Sequence, residues 1–573
     1  MKRLIPYMLP ALASLSLLAS LPFLQPYEAF RLLALAAGLA AWAVMLADSS
    51  QRSPTVQVTP LSAAILAFTL WCGFTFFWSV SPFATVIAWG ALWLLSLWYL
   101  IFAVLPASVL QMGRALGGVV AVCAMMGAWA LAQYFIWPQF LNENGNIRFP
   151  FADPNNYAGL LNLGIFMSLG LLFSGQNKRG CRVFLLIAAV VMLSALVLIG
   201  SRMAMACTVA GLGVFAWLAR GGKEGPGPMG LFIGLFMAMV AILLASGLWG
   251  GGRLTALERV MELAALSDDK SLSARLDIWA STWELIARHM WQGAGLGTFF
   301  LLYPAVRAPS EIYSSGLMAH ADPLQFWAEA GFPALALFYA ILLMVLFRFY
   351  RYWKSSAADT SGRLLVAGLF CALLTLALHL HVTFHLYVPA LLVATGLTLG
   401  AFARLTTLST ERSTALSFQT LASVIFLGLL AFAVVYQSCL FSEMHARQAA
   451  AALERGDLET FSRMVNQAGH EGFGLNPRPY VQAASIPIGL LQTSRGPAEE
   501  REALFLQADR LLDQALAASP VNAGAYYSKA LLYGVMGRPE IDHFLDLTLK
   551  YDPQHRQARQ LQQARGRAGV TTP

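Results

Sequence analysis

Few side chains in this 573-residue sequence could do chemistry, and the clearest stands at the head of the segment HADPLQFWAEAGFP. That residue is His320. Asp322, Pro323 and Gln325 read as a helix N-terminus with a capping box, and Gly331 with Pro333 ends that helix and starts the next apolar run. An imidazole with an ordinary pKa of about 6.5 can take a proton near neutral pH, and a cap network can hold it still. The plainer reading of the same residues is a solvated loop histidine. Two arginines belong with it, Arg202 in IGSRMAM and Arg275 in SLSARLDIW. A guanidinium is a planar, permanently charged fork suited to phosphate. At a helix end, as at Arg202, it can equally snorkel to lipid headgroups, and Arg275 can pair with Asp269 or Asp277. Glu329 reads as a solvated helix charge in preference to a group that orients His320. His379, His381 and His385 in HLHVTFHLYVP invite a metal by their closeness, but no carboxylate or thiolate accompanies them, so no metal site is expected. His385 is expected to line a substrate cavity or to bond between helices.

These residues need elements to position them. SLSARLDIWASTWELIARHMWQG reads as an amphipathic helix capped by Ser271 or Ser273, with Leu276, Trp279, Trp283 and Ile286 on one stripe and Arg275, Glu284 and Arg288 off it. Gly293 ends it. GAGLG follows no strand and lacks the spacing of a nucleotide loop, so it reads as helix termination and a tight turn. Helix, turn and histidine share the interval 249–331, the longest polar stretch of the first 440 residues.

Apolar runs long enough to cross about 30 Å of hydrocarbon occupy 4–24, 30–47, 61–80, 83–105, 115–137, 157–173, 183–199, 203–218 and 229–248 before that interval, and 332–349, 364–380, 386–402 and 418–440 after it. The fold class is therefore all-α and polytopic, with about thirteen spans. The basic residues set its orientation. With Lys2 and Arg3 inside, the even-numbered connections hold Arg52, Arg114, Lys178, Arg179, Arg182, Arg220, Lys223, Arg348, Arg351, Lys354, Arg363, Arg404 and Arg412, while the odd ones hold few. This places 249–331, and everything after 440, on the outer side. The tail, 441–573, changes to an Ala-rich helical composition in which Pro520 and Pro553 stand about one tetratricopeptide period apart. It is expected to hold a partner or to lie as a lid on the outer face.

Composition agrees with these spans. Hydrophobic residues make up 58% and charged residues 12%, whereas soluble domains carry about 25% charged. The net charge of +8 sits in short connections, so no nucleic-acid binding is expected. Cys72, Cys123, Cys181, Cys207, Cys371 and Cys439 lie in or beside apolar spans without paired spacing, which argues against a disulfide framework. The first 24 residues lack a small-residue cleavage site and read as an uncleaved span.

Taken together, the motifs resemble the O-antigen ligase/polymerase superfamily. Its Arg-x-x-x-Trp helix corresponds to Arg275–Trp279, its G-x-G-x-x-F turn to GLGTFF from Gly295, and its histidine segment to His320, Gln325, Glu329 and Gly331. RFPFADPNNYAGLL and IGSRMAM resemble two earlier family segments, with departures at Phe149, Met203 and Pro323. The resemblance covers most of 115–403. It implies an integral-membrane glycosyltransferase that needs neither metal nor cofactor and takes a preassembled glycan from undecaprenyl diphosphate. By the same resemblance Arg202 and Arg275 hold the diphosphate and His320 deprotonates the acceptor. Arg148, Asn155, Arg307 and His385 are further candidates for substrate contact. Partners would be the lipid-linked glycan, membrane lipids, and a lipid A core or protein acceptor, at the periplasmic face of a bacterial inner membrane. Ligation to lipid A core is favoured over polymerisation and over transfer to protein. A transporter of the lipid-linked glycan is the rival from another class, but no internal duplication supports it.

Overall fold

The computed structural model describes residues 5–22, 27–49, 55–103, 109–141, 145, 147–174, 178–220, 270–311, 314–355, 360–407, 414–493 and 496–569. Eight helices precede the polar interval: α1 (Ile5–Ala19), α2 (Tyr27–Ser49), α3 (Pro60–Phe74), α4 (Pro82–Ala103), α5 (Val109–Phe135), α6 (Pro154–Phe173), α7 (Arg179–Ile199) and α8 (Arg202–Ala219). Within it lie α9 (Lys270–His289) and the short α10 (Phe299–Leu302). Then come α11 (Asp322–Lys354), α12 (Thr360–His379) and α13 (Pro389–Leu405). Among the described residues nine helices are long and apolar enough to cross a membrane, and Tyr7–Ala19 and Pro389–Leu405 are shorter apolar helices. This is a multi-pass membrane protein. The expected span at 30–47 coincides with α2. The one at 229–248, with the first part of the polar interval and Lys2, Arg3, Arg52, Lys223, Asp269 and Arg412, lies outside the described residues.

Connections far apart in sequence meet in two separate groups. Val80, between α3 and α4, donates its N–H to Ala294 O (3.0 Å), and Asp322 N–H reaches Leu380 O beyond α12 (2.9 Å). At the other end β1 (Thr55–Val58) pairs antiparallel with β2 (Thr414–Ser417), and Arg348 Nη2 donates to Ala403 O (2.8 Å). The two-stranded ribbon departs from the all-α expectation, since each strand is too short and polar to be seen by hydropathy.

Close backbone packing holds the membrane bundle together. α4 is buried along most of its length and packs on α13, where Gly396 and Gly400 stand one helical turn apart. A Cβ at Gly396 would lie 2.3 Å from Leu95 O, and one at Gly400 2.7 Å from Tyr99 O. In lipid, where apolar burial between helices is not itself a driving force, such small-residue contact carries the association. Gly396→Leu is therefore expected to cost about 1–3 kcal/mol, read as a lower Tm of the detergent-purified protein. Gly396→Ala should cost less, because it adds one atom.

One expectation for the polar interval changes. α11 breaks at Gly331 (φ 74°), as expected, but the buried face of α9 is formed by Ala274, Ile278, Leu285 and Ile286. Leu276 and Trp283 are exposed, the latter meeting Trp327 edge-on. The apolar face of α9 thus packs on Phe299, Tyr303 and Ala328. The predicted stripe mixed residues from two faces because both are apolar.

After the membrane bundle, α14 (Phe418–Glu454) runs without a break through position 440, so the expected boundary there falls inside one helix. Six more helices follow: α15 (Leu458–Glu471), α16 (Pro477–Thr493), α17 (Ala498–Ala518), α18 (Ala523–Val535), α19 (Ile541–Tyr551) and α20 (Arg556–Gly569). Pro520 and Pro553 each follow a helix end. The tail is tied back to the membrane helices by Arg447 with Glu28 (3.2 Å), and to the polar interval by Gln554 Nε2 donating to Ala308 O (3.3 Å).

Candidate active site

The N-termini of α6, α8 and α11 come together with the 380–388 turn between α12 and α13. Asp153 begins α6 by accepting from Asn155 N (2.7 Å), and the same Oδ1 accepts from Asn155 Nδ2 (2.8 Å). Asn155 Oδ1 accepts from Ser201 Oγ (2.7 Å), the cap of α8, so Arg202 at the first turn of α8 is carried to the same place. The N–H dipoles of these helix ends, with Arg202 and Arg275, make a setting suited to an anion.

The capping box expected at α11 does not form. Ala321 is the N-cap and makes no side-chain bond. The Asp322 carboxylate crosses instead to the 380–388 turn, where Oδ2 accepts from His385 N (2.8 Å) and Leu386 N (3.0 Å). Gln325 Oε1 accepts from Ala319 N (3.0 Å), and Trp279 Nε1 of α9 donates to Ala319 O (3.1 Å). The backbone just before His320 is thus held from both sides.

His320 itself adopts a left-handed backbone (φ 51°), which for a residue bearing a Cβ costs about 1–2 kcal/mol. Its ring lies edge-on to Phe384 (5.2 Å), with Nδ1 4.0 Å from Asp153 Oδ2. That separation exceeds a hydrogen bond and allows only electrostatic coupling. The side chain keeps 21% exposure, so a substrate hydroxyl can reach it. Burial lowers its pKa below the ordinary value; Asp153 and Glu311 oppose this, and Arg275 reinforces it. The net effect favours the neutral imidazole, with a carboxylate 4.0 Å away and a guanidinium within electrostatic reach.

Glu329 is not solvated. It is 1% exposed and anchors the G-x-G turn: Oε2 accepts from Gly297 N (2.6 Å) and Tyr387 Oη (2.6 Å), Oε1 from Phe299 N (3.0 Å) and Gln325 Nε2 (3.2 Å). Its four donors come from three separate segments, which is why the local pattern hid it. Arg307 is tied within its own loop, to Glu311 Oε2 (2.8 Å) and Ser314 O (2.7 Å). Arg148 is exposed, and among the described residues no hydrogen bond or ion pair joins it to the His320 cluster. His385 is fully buried and uses both ring nitrogens within the protein, on Asn156 Oδ1 (3.1 Å) and His379 Nδ1 (2.9 Å). His381 turns away to Tyr339 Oη (3.2 Å), so the three histidines do not converge. Sequence reasoning passed over Asp153, whose meeting with His320 across 167 positions leaves no local signal.

The assembly brings an imidazole beside a carboxylate, with two arginines near helix N-termini, at one end of a bundle of apolar helices. This suits transfer of a group carried on an anionic leaving group. No curated protein matches the chain. Residues 187–339, which include Arg202, Arg275 and His320, match the family model described as O-Antigen ligase.

Proposed function

We propose that this protein transfers a preassembled glycan from undecaprenyl diphosphate to an acceptor at the periplasmic face of the inner membrane, with ligation to lipid A core as the first reading. The observation that carries it is the placing of His320 beside Asp153 and within electrostatic reach of Arg275. In this reading His320 takes the proton of the acceptor hydroxyl, and the oxygen attacks the anomeric carbon from the face opposite the diphosphate. The glycosidic C–O bond to phosphate breaks. Arg202 and Arg275 stabilise the charge that develops on the departing lipid diphosphate. The diphosphate linkage supplies the driving force, so no nucleotide is required.

Two cavities support the substrate classes. An apolar cavity of about 260 Å3 between α3, α11, α12 and α13 ends at Leu380 and His381, and suits the polyprenyl tail. A more polar one of about 450 Å3 lies between the polar interval (Gly297, Phe300, Met318) and the tail helices (Arg447, Arg478), and suits an acceptor glycan. On this reading the tail, which we take as a tetratricopeptide-like domain, forms the acceptor wall.

The test offers purified protein an undecaprenyl-diphosphate glycan with lipid A core and, separately, a pilin-like peptide. Transfer to the core alone is the expected outcome. Transfer to peptide alone, or growth of the lipid-linked chain without either acceptor, would move the assignment to the protein-glycosylating or polymerising activity, and no transfer at all would remove the enzyme reading.

A further inference from the structure

Four buried polar atoms without a protein hydrogen-bond partner among the described residues lie on the 319–322 and 379–385 segments, His320 Nδ1, Asp322 Oδ1, His379 Nε2 and Thr383 Oγ1, and the segments meet where Asp322 N–H donates to Leu380 O (2.9 Å) and Thr383 O (3.2 Å). Buried polar groups left unbonded are costly, and several in one place mark a position where a polar ligand completes them. Of the four, His379 is the one whose chemistry the surroundings define.

A hydrogen-bond chain fixes its tautomer. Asn156 Oδ1 can only accept, so His385 Nδ1, 3.1 Å away, carries the proton. Neutral His385 then has a lone pair on Nε2, and His379 Nδ1 donates to it across 2.9 Å. His379 is left with a bare lone pair on Nε2. Both rings are buried, 1% and 0% exposed, and two adjacent imidazolium charges there would be prohibitively desolvated. The Arg275 guanidinium stands within electrostatic reach of both His379 and His320, and His385, to which His379 donates, gives its backbone N–H to Asp322, two residues from His320.

We infer that His379 is a further substrate contact, its Nε2 accepting a hydrogen bond from a hydroxyl of the donor glycan next to Arg275. This rests on the reading of Arg275 as a diphosphate residue. His385 and Asn156 are then positioning residues, which keep the lone pair, and not an N–H, turned toward the sugar.

The two amide replacements separate this role from simple packing. In His379→Asn the side-chain NH2 stands where Nδ1 stood, keeping the bond to His385 and deleting Nε2. In His379→Gln the amide stands where Nε2 stood and the bond to His385 is lost. KM for undecaprenyl-diphosphate glycan is the readout, because it does not depend on how much of a preparation is folded. His379→Asn should raise it about tenfold, while His379→Gln stays within about threefold of wild type. The reverse order, equal KM values for the two variants, or a wild-type KM in His379→Asn overturns the inference. With Arg275→Ala and His320→Ala alongside, wild-type kinetics in His379→Asn alone sinks only this contact. Wild-type kinetics in all three sinks the reading of the site.

Discussion

His320→Ala is expected to lower kcat by about 10^2- to 10^4-fold, some 3–5 kcal/mol of transition-state stabilisation, with little change in donor KM. The imidazole is 21% exposed and stands 4.0 Å from Asp153 Oδ2, within electrostatic reach of Arg275. Its pH dependence is signed. Burial and Arg275 hold the His320 pKa below its ordinary value, and a base works only when deprotonated, so kcat/KM should fall on an acid limb below about pH 6.5. Asp153 raises that pKa, so Asp153→Asn should move the limb to lower pH while keeping the cap of α6, which an asparagine can also form. A limb that stays where it was in Asp153→Asn, or a His320→Ala enzyme of wild-type kcat, would remove His320 as the base.

Arg275→Ala is expected to cost about 10^2- to 10^3-fold in kcat/KM, the scale on which removal of a preorganised donor to developing charge is felt. Arg275→Lys should recover only part, since an ammonium keeps the charge but not the planar fork. A second signature comes from His320. Because Arg275 lowers the His320 pKa, the Ala variant should show its acid limb at higher pH than wild type. Kinetics at pH 8, where His320 is neutral in both proteins, therefore isolate the diphosphate contribution. A loss that vanishes at pH 8 would make Arg275 a tuner of the histidine and no more.

The parts of this protein set by the membrane were legible in its sequence. Hydropathy marked the long apolar helices, because it responds to a solvent that acts on every residue locally. The helix break at Gly331 was also local. What stayed hidden was assembled across the chain. Glu329 looked like any charge on a helix, since the donors that bury it, at Gly297, Phe299 and Tyr387, lie 30 to 58 positions away. Asp322 had the spacing of a cap but spends its carboxylate on the backbone of His385 and Leu386. His385 looked available to substrate because nothing in HLHVTFHLYVP reveals that Asn156 and His379 occupy its ring. A useful signal was present in GAGLG all the same. Three glycines with positive φ shape a turn whose Gly297 and Phe299 N–H groups are both taken by the Glu329 carboxylate.

The seam between α4 and α13 bears on how the protein is made. The ribosome finishes α4 at residue 103 and reaches the start of α13 only at residue 389, an interval of about 15–60 s at ordinary synthesis rates. During that time the face of α4 that will meet Gly396 and Gly400 has no permanent neighbour. The nascent chain must wait in lipid with its central helix half-covered, open to an insertion chaperone or to a wrong partner. The bundle is therefore completed from its last third inward, and truncations before residue 389 should be cleared by quality-control proteases even though they contain most of the spans.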